Sequence, residues 1–335
     1  MRMRLAIPLL VFLLGAVAVV SLGAGPVPIA ARRVPGLLLG LDAVPGDEAA
    51  ATIIRSIRLP RVLLAILVGA ALAQSGVVMQ GFFQNPMADP YIIGVSAGAA
   101  LGAALAATLG LDSWFAGLGG MGLSAFCGAL LVTGMVYAIS MRGGRLPVGM
   151  VLLTGIAVGS LASALTSFLI ITSGRDLHEI LFWIMGSLAA SRWDHVRLVW
   201  PPIIGAIVLT QFFARDLNII LQGEETAQHM GVEVERVKRI LLVVAALLAA
   251  SAVAVSGIIG FVGLIVPHVM RLIVGPDHRG LFPVSVLGGA ILLLAADILA
   301  RTIMAPAEIP IGIITAVLGC PFFLWLLSRR RDMVG

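Results

Sequence analysis

The chain is 335 residues long, 60% hydrophobic and 12% charged, with a mean hydropathy of +1.08. A soluble protein runs near ~25% charged, so this composition excludes a soluble enzyme, a nucleic-acid binder and a disordered chain. At roughly 20 apolar residues per crossing, about 200 apolar residues suffice for about ten transmembrane helices. The net charge of +5 and the pI near 10.2 come from loop arginines in a chain with few acids, and imply no nucleic-acid partner. Cys127 and Cys320 lie far apart in apolar surroundings and give no disulfide or zinc framework. Lys238 is the only lysine and follows Val237, so the Gly-Lys-Ser/Thr of a phosphate-binding loop is absent. Any ATP-driven work must therefore be done by another subunit.

The first apolar stretch, 5–23, follows Arg2 and Arg4 and runs into Ser21-Leu22-Gly23-Ala24. It reads as an uncleaved first span or as a signal peptide. The second, 60–81, is entered through Arg58-Leu59-Pro60-Arg61, where Pro60 suits a first helical turn. The arginines either snorkel to headgroups or, with Arg301 at another outer span end, form a basic platform for an acidic partner. Asn85-Pro86 and Asp89-Pro90 predict turns before the third span, 91–109. That span begins with Gly94-Val95-Ser96-Ala97-Gly98, formally a G-x-S-x-G pattern. A helical run of small apolar residues follows, where a hydrolase needs a strand–turn–helix elbow.

Spans at 116–140 and 150–172 come next. In the latter, Gly155, Gly159, Ser163 and Ser167 recur every four residues on one helical face. They form either a close packing seam or the lining of a wide substrate path. Leu177 to Leu188 is too short to span and predicts a re-entrant or interfacial helix. After the span 196–213, the loop 214–238 carries Gly223-Glu224-Glu225-Thr226-Ala227 and Gly231. Two first-turn carboxylates and a terminal glycine predict a short helix, which either turns the chain or fits a groove on a partner.

The last spans are 239–256, 258–273, 281–300 and 309–328, the second of them with a broken entry at Gly257, Gly260 and Gly263. Asp297, four residues before Arg301, predicts an ion pair near the outer end, with Glu308 close enough to share it. No cluster of His, Cys, Asp or Glu within the spans suits a metal, so neither a bound metal nor a cofactor is expected. With no linker or low-complexity tract, residues 1–335 form one all-α domain of about ten transmembrane helices. Placing both termini inside puts 13 of the 22 lysines and arginines on the inner side. The outward arginines exceed what topology alone explains.

Several strings in collinear order resemble the FecCD family of ABC-importer permeases. They are Arg58-Leu-Pro-Arg61, Gly69-Ala-Ala-Leu-Ala73, Asn85-Pro-Met-Ala-Asp-Pro90 with Gly94-Val-Ser-Ala-Gly98, Gly223-Glu-Glu-Thr-Ala227, Gly260 to His268, Ala296 to Arg301, and Glu308-Ile-Pro-Ile-Gly312 with Gly319-Cys-Pro-Phe-Phe323. The resemblance covers about 55 to 328. It implies a multi-pass permease of a prokaryotic cell (inner) membrane, ten spans per subunit, embedded in membrane lipids. It would act as a dimer with cytoplasmic ATP-binding subunits and a periplasmic or extracellular substrate-binding protein.

By the resemblance, Arg58, Arg61 and Arg301 pair with glutamates on that binding protein. Residues 223–231 form the coupling helix on the ATPase, and span five lines the path between protomers. The inner gate falls near Pro147 to Gly149, where Val148-Gly149 lack the hydroxyl residues of the cobalamin permease, which speaks against cobalamin. Cargoes of the family are intact chelates: siderophore-iron, haem or cobalamin. An ion-coupled secondary transporter is the rival reading, but would want several midplane carboxylates. An intramembrane serine hydrolase would need a base facing Ser96.

Overall fold

The computed structural model describes residues 2–40, 48–111, 119–172 and 177–331. The helices in chain order are α1 (Arg2–Gly23), α2 (Val34–Leu39), α3 (Glu48–Thr52), α4 (Leu59–Phe82), α5 (Val95–Thr108), α6 (Gly119–Ser140), α7 (Val148–Thr172) and α8 (Leu177–Ile184). They continue as α9 (Trp193–Phe212), α10 (Ala214–Ile220), α11 (Glu224–His229), α12 (Val234–Ser256), α13 (Val262–Val274), α14 (His278–Thr302) and α15 (Ile311–Arg331). Among the described residues, seven helical stretches are long and apolar enough to cross a membrane, and α5, α13 and the apolar part of α15 are shorter. Each of the ten expected spans corresponds to one of these. A π-helical turn at Ile53–Arg58 joins α3 to α4, so the second crossing is a continuous 35-residue helix, longer than its apolar pattern predicts.

Two crossings are shorter than the pattern predicts, each for a local reason. α5 starts at Val95 because Asp89 caps a 3-10 turn through the Tyr91 N–H (2.8 Å), and Gly94 then takes a left-handed conformation (φ 85°). α13 has 13 residues, about 20 Å of helix against a hydrocarbon core of about 30 Å. The irregular stretch 257–261 before it is the broken entry the glycines predict. Gly257 has φ 65°, and a Cβ there would lie 2.0 Å from the Trp183 carbonyl oxygen. The short apolar piece after span five, α8, ends against this stretch. The Ser187 N–H donates to Ser256 O (2.8 Å), the Ile311 N–H to Gly186 O (2.9 Å), and the Tyr91 hydroxyl to Ile259 O (3.0 Å).

α4 and α12 form the middle of the bundle, with 83% and 72% of their most apolar windows buried, whereas α7 has 22%. The centre is packed through small residues, as lipid-embedded helices require. Gly69 on α4 and Gly289 on α14 face each other so closely that a Cβ on either would sit 2.2 Å from the other's carbonyl oxygen. The 25 residues of α14 reach about 37 Å, from Asp277 and Asn218 at one end, next to α11, to Arg301 at the other. These are called below the α11 end and the arginine end.

Candidate functional site

At the arginine end, the three arginines singled out by sequence come together, but they turn inward. Arg58, Arg61 and Arg301 are 5%, 8% and 3% exposed. Arg58 Nη1 donates to the carbonyls of Leu22 (2.8 Å) and Gly23 (2.9 Å), and its Nη2 to Val27 O. Arg301 Nη2 donates to Ser21 O (2.6 Å) and to Ser21 Oγ, and Nη1 to Ala24 O (3.0 Å). The last carbonyls of a helix have no partner within it, and the negative end of its dipole lies there. Two guanidinium forks cap the end of α1 on both counts. Arg61 Nε donates to Asp297 Oδ1 (2.9 Å), while its two amino groups grip both oxygens of Glu308 at 2.8 and 2.9 Å. Arg301 Nε lies 3.4 Å from the second Asp297 oxygen.

Sequence reasoning set these arginines between headgroup anchoring and an exposed platform. In the single chain their amino groups are engaged by in-chain acceptors, an arrangement that neither expectation included. The expected Asp297–Arg301 pair is present, yet Asp297's closer partner is Arg61, with Glu308 sharing it from the α14–α15 connection.

At the α11 end the expected short helix is Glu224–His229, flanked by left-handed Gly231 (φ 81°) and by Gly223 (φ 122°). The Val232 N–H closes it onto Ala227 O (3.0 Å). Ala227 is fully buried, while Glu225, Thr226, Gln228, His229 and Met230 are exposed. Glu224 turns back and pairs with the side chain of Lys238 in α12. One turn earlier, Glu235 Oε2 accepts the Leu146 N–H at 2.7 Å. Leu146 follows a tight turn through Gly143 (φ 55°) and Gly144 (φ 78°), closed by reciprocal Arg142–Arg145 backbone bonds of 3.0 Å. It stands two residues before Val148, which is half-buried and followed by an exposed Gly149 with open space around its Cα.

Asp277, beside α10, caps α14. Its Oδ1 accepts the Arg279 N–H (2.9 Å) and the Asn218 side-chain amide (2.6 Å). The Arg279 N–H chiefly holds this carboxyl below its ordinary range, with burial opposing and Asn218 adding to the effect.

The α7 face divides. A Cβ on Gly155 would lie 2.3 Å from Ile92 O, whereas one on Gly159 would meet Ala97 Cβ at an ordinary 3.9 Å. Ser163 and Ser167 are exposed, and the Ser167 hydroxyl donates to Ser163 O (3.0 Å). Gly155 thus belongs to a packing seam, and the rest of the row faces outward. Ser96 opens α5 after a 3-10 turn, in place of a strand–turn–helix elbow. A cavity of about 440 Å³ beside α8 is lined by Met121, Trp183, Ser187, Arg192 and Gly257, among others.

Sequence reasoning missed Glu235 and the α1 carbonyls. The signal for Glu235 was its position three residues before the lone lysine, which puts both on one helical face. Backbone carbonyls leave no residue-type signal at all.

Residues 11–329 match the model of the FecCD transport family. The chain is 50% identical over 284 residues to the cobalamin import system permease protein BtuC of Halobacterium salinarum, covering 85% of this chain and 75% of that one. It is 45% identical over 280 residues to the hemin transport system permease protein HmuU of Yersinia pestis, covering 83% of each. A solved structure described as an inward-facing ABC transporter of metal-chelate type superimposes with a TM-score of 0.85 at 35% identity, covering 96% of this chain and 98% of that one.

Proposed function

The chain belongs to the FecCD transport family and is a membrane permease of the ABC-importer kind; from that premise we propose that it carries an intact metal chelate, with energy from separate ATPase subunits bound at the α11 end. The observation that carries this reading is α11 itself, a short helix whose buried Ala227 and Glu224–Lys238 pair fix it to the bundle while its other side chains face outward. The only lysine is consumed in that pair, consistent with a chain that hydrolyses no ATP.

In this reading the α11 end and both termini are cytoplasmic, in a prokaryotic cell (inner) membrane. Two copies assemble with the Gly159, Ser163 and Ser167 side of α7 along the path, and Val148 and Gly149 sit at its inner mouth. An external substrate-binding protein docks over the arginine end. Arg58, Arg61 and Arg301 are the docking residues of this reading, and their in-chain bonds also hold the ends of α1, α4 and α14 in shape. The cargo is haem, siderophore-iron or cobalamin. The chelator, not the permease, holds the metal.

Reconstitution with ATPase and binding protein in proteoliposomes tests the reading. Uptake of hemin, or of cyanocobalamin, should require ATP and persist without a proton gradient. Uptake driven by the gradient alone would favour the secondary-transporter reading instead.

A further inference from the structure

The linkage around the first turns of α12 goes beyond that reading while resting on it. Glu235 and Lys238 lie three positions apart on one face of α12 and hold different elements. Lys238, with its side chain 6% exposed, grips Glu224 of α11. Glu235 accepts the Leu146 N–H, 89 positions away in sequence. A backbone N–H in a surface turn is ordinarily satisfied by water or by its own turn. Here a carboxylate from another helix takes it in a charge-assisted bond.

The Leu146 side chain is fully buried in the same apolar cluster as Ala227, Val234 and Val237, so α11, α12 and this loop share one packed unit. Directly after Leu146, the Pro147 carbonyl accepts the Met150 and Val151 N–H groups (3.0 and 3.1 Å) and so starts α7. Within the chain α7 packs on α5 and α6 along one side only, leaving its other side exposed. The turn that leads into it is closed by the two Arg142–Arg145 backbone bonds, so Leu146 leaves it from a defined position.

We propose that Glu235 is a positioning residue that transmits displacement of α11 to the start of α7, so that the first turns of α12 form the joint between ATPase docking and the inner mouth of the path. A push on α11 passes through Glu224 to Lys238, along one turn of rigid helix to Glu235, and into the Leu146 backbone. Val148 and Gly149 follow two and three residues later.

The test uses the permease assembled with its ATPase subunits, with Cys127 and Cys320 replaced by serine and a reporter at Val148→Cys. Maleimide labelling at 148 is compared in the nucleotide-free state and after trapping with ATP and vanadate. With Glu235 present, labelling should change between the two states. Glu235→Ala should shrink that change about tenfold, the scale of a coupling carried by a single charge-assisted bond, while the ATPase subunits still copurify and hydrolyse ATP. Glu235→Gln keeps an acceptor oxygen and should restore most of the response, which mere loss of folding would not allow. Lys238→Gln cuts the same linkage at its other joint and should reproduce the loss. A response that survives Glu235→Ala overturns the linkage alone. An unresponsive position 148 with Glu235 in place overturns the reading of α11 as well.

Discussion

Asp297, with no exposed surface, is held by Arg61 at 2.8 Å across 236 positions of sequence. Removing one member of a buried ion pair strands the other and costs about 3–5 kcal/mol. Glu308 on the same guanidinium offsets part of that loss here. Asp297→Ala should therefore lower the thermal unfolding midpoint in detergent markedly, and Asp297→Asn, which keeps a hydrogen-bond acceptor, should lower it less. Replacing both Arg61 and Asp297 with apolar residues should not recover the loss, because Glu308 and Arg301 would lose their charge partners.

The capping of α1 makes a second prediction, about docking. If Arg58 and Arg301 met the binding protein directly, Arg58→Gln or Arg301→Gln would weaken its affinity at unchanged thermal stability. The inward geometry predicts that the two quantities fall together, because carbonyls at the end of α1 lose their donors. Affinity measured by surface resonance, beside melting curves of the same variants, separates the cases.

On α7, Ser163→Cys and Ser167→Cys in a background free of Cys127 and Cys320 should assemble normally and react with aqueous thiol reagents. Gly159→Cys should also be tolerated. Gly155→Cys should reduce the yield of folded protein, since its Cβ would overlap the Ile92 carbonyl. Equal tolerance at all four positions would count against the division of this face.

Asp277 provides a pH test. Its carboxyl titrates below the ordinary range when folded, so the stabilisation it gives is present above the unfolded pKa and is lost as pH falls through the folded one. Losing a helix cap costs about 1 kcal/mol. Asp277→Ala should be less stable than the parent at pH 7 by about that amount, and the gap should close below about pH 4. Asp277→Asn keeps an acceptor oxygen but not the charge, so at pH 7 its stability should fall between those of the parent and Asp277→Ala.

Most of the fold was legible because lipid imposes a coarse pattern: apolar runs of the right length become helices, and proline or glycine marks their ends. The shortened α5 and α13 were less legible, since their starting points depend on Asp89 capping Tyr91 and on Gly257 passing under the Trp183 carbonyl. Neither contact leaves a trace in hydropathy. At the sites, the α11 helix was readable from two acids and a glycine, and the Asp297–Arg301 pair from their spacing. The direction in which Arg58, Arg61 and Arg301 point was not. Their side chains are long enough to face solvent or the bundle, and the acceptors that decide between these are α1 carbonyls some 31 to 36 positions before Arg58 and 277 to 280 positions before Arg301.

That last separation bears on how the protein is made. About nine-tenths of these 335 residues follow α1, and the Arg301 half of its cap comes only with α14. Without α14 the Ser21 and Ala24 carbonyls lack the Arg301 donors, and Arg58 alone is left to hold Leu22 and Gly23. The arginine end is thus a late closure that joins an early helix to one of the last. A nascent chain halted before α14 should hold α1 loosely, and protease access near residue 24 in such arrested chains would register the moment of closure.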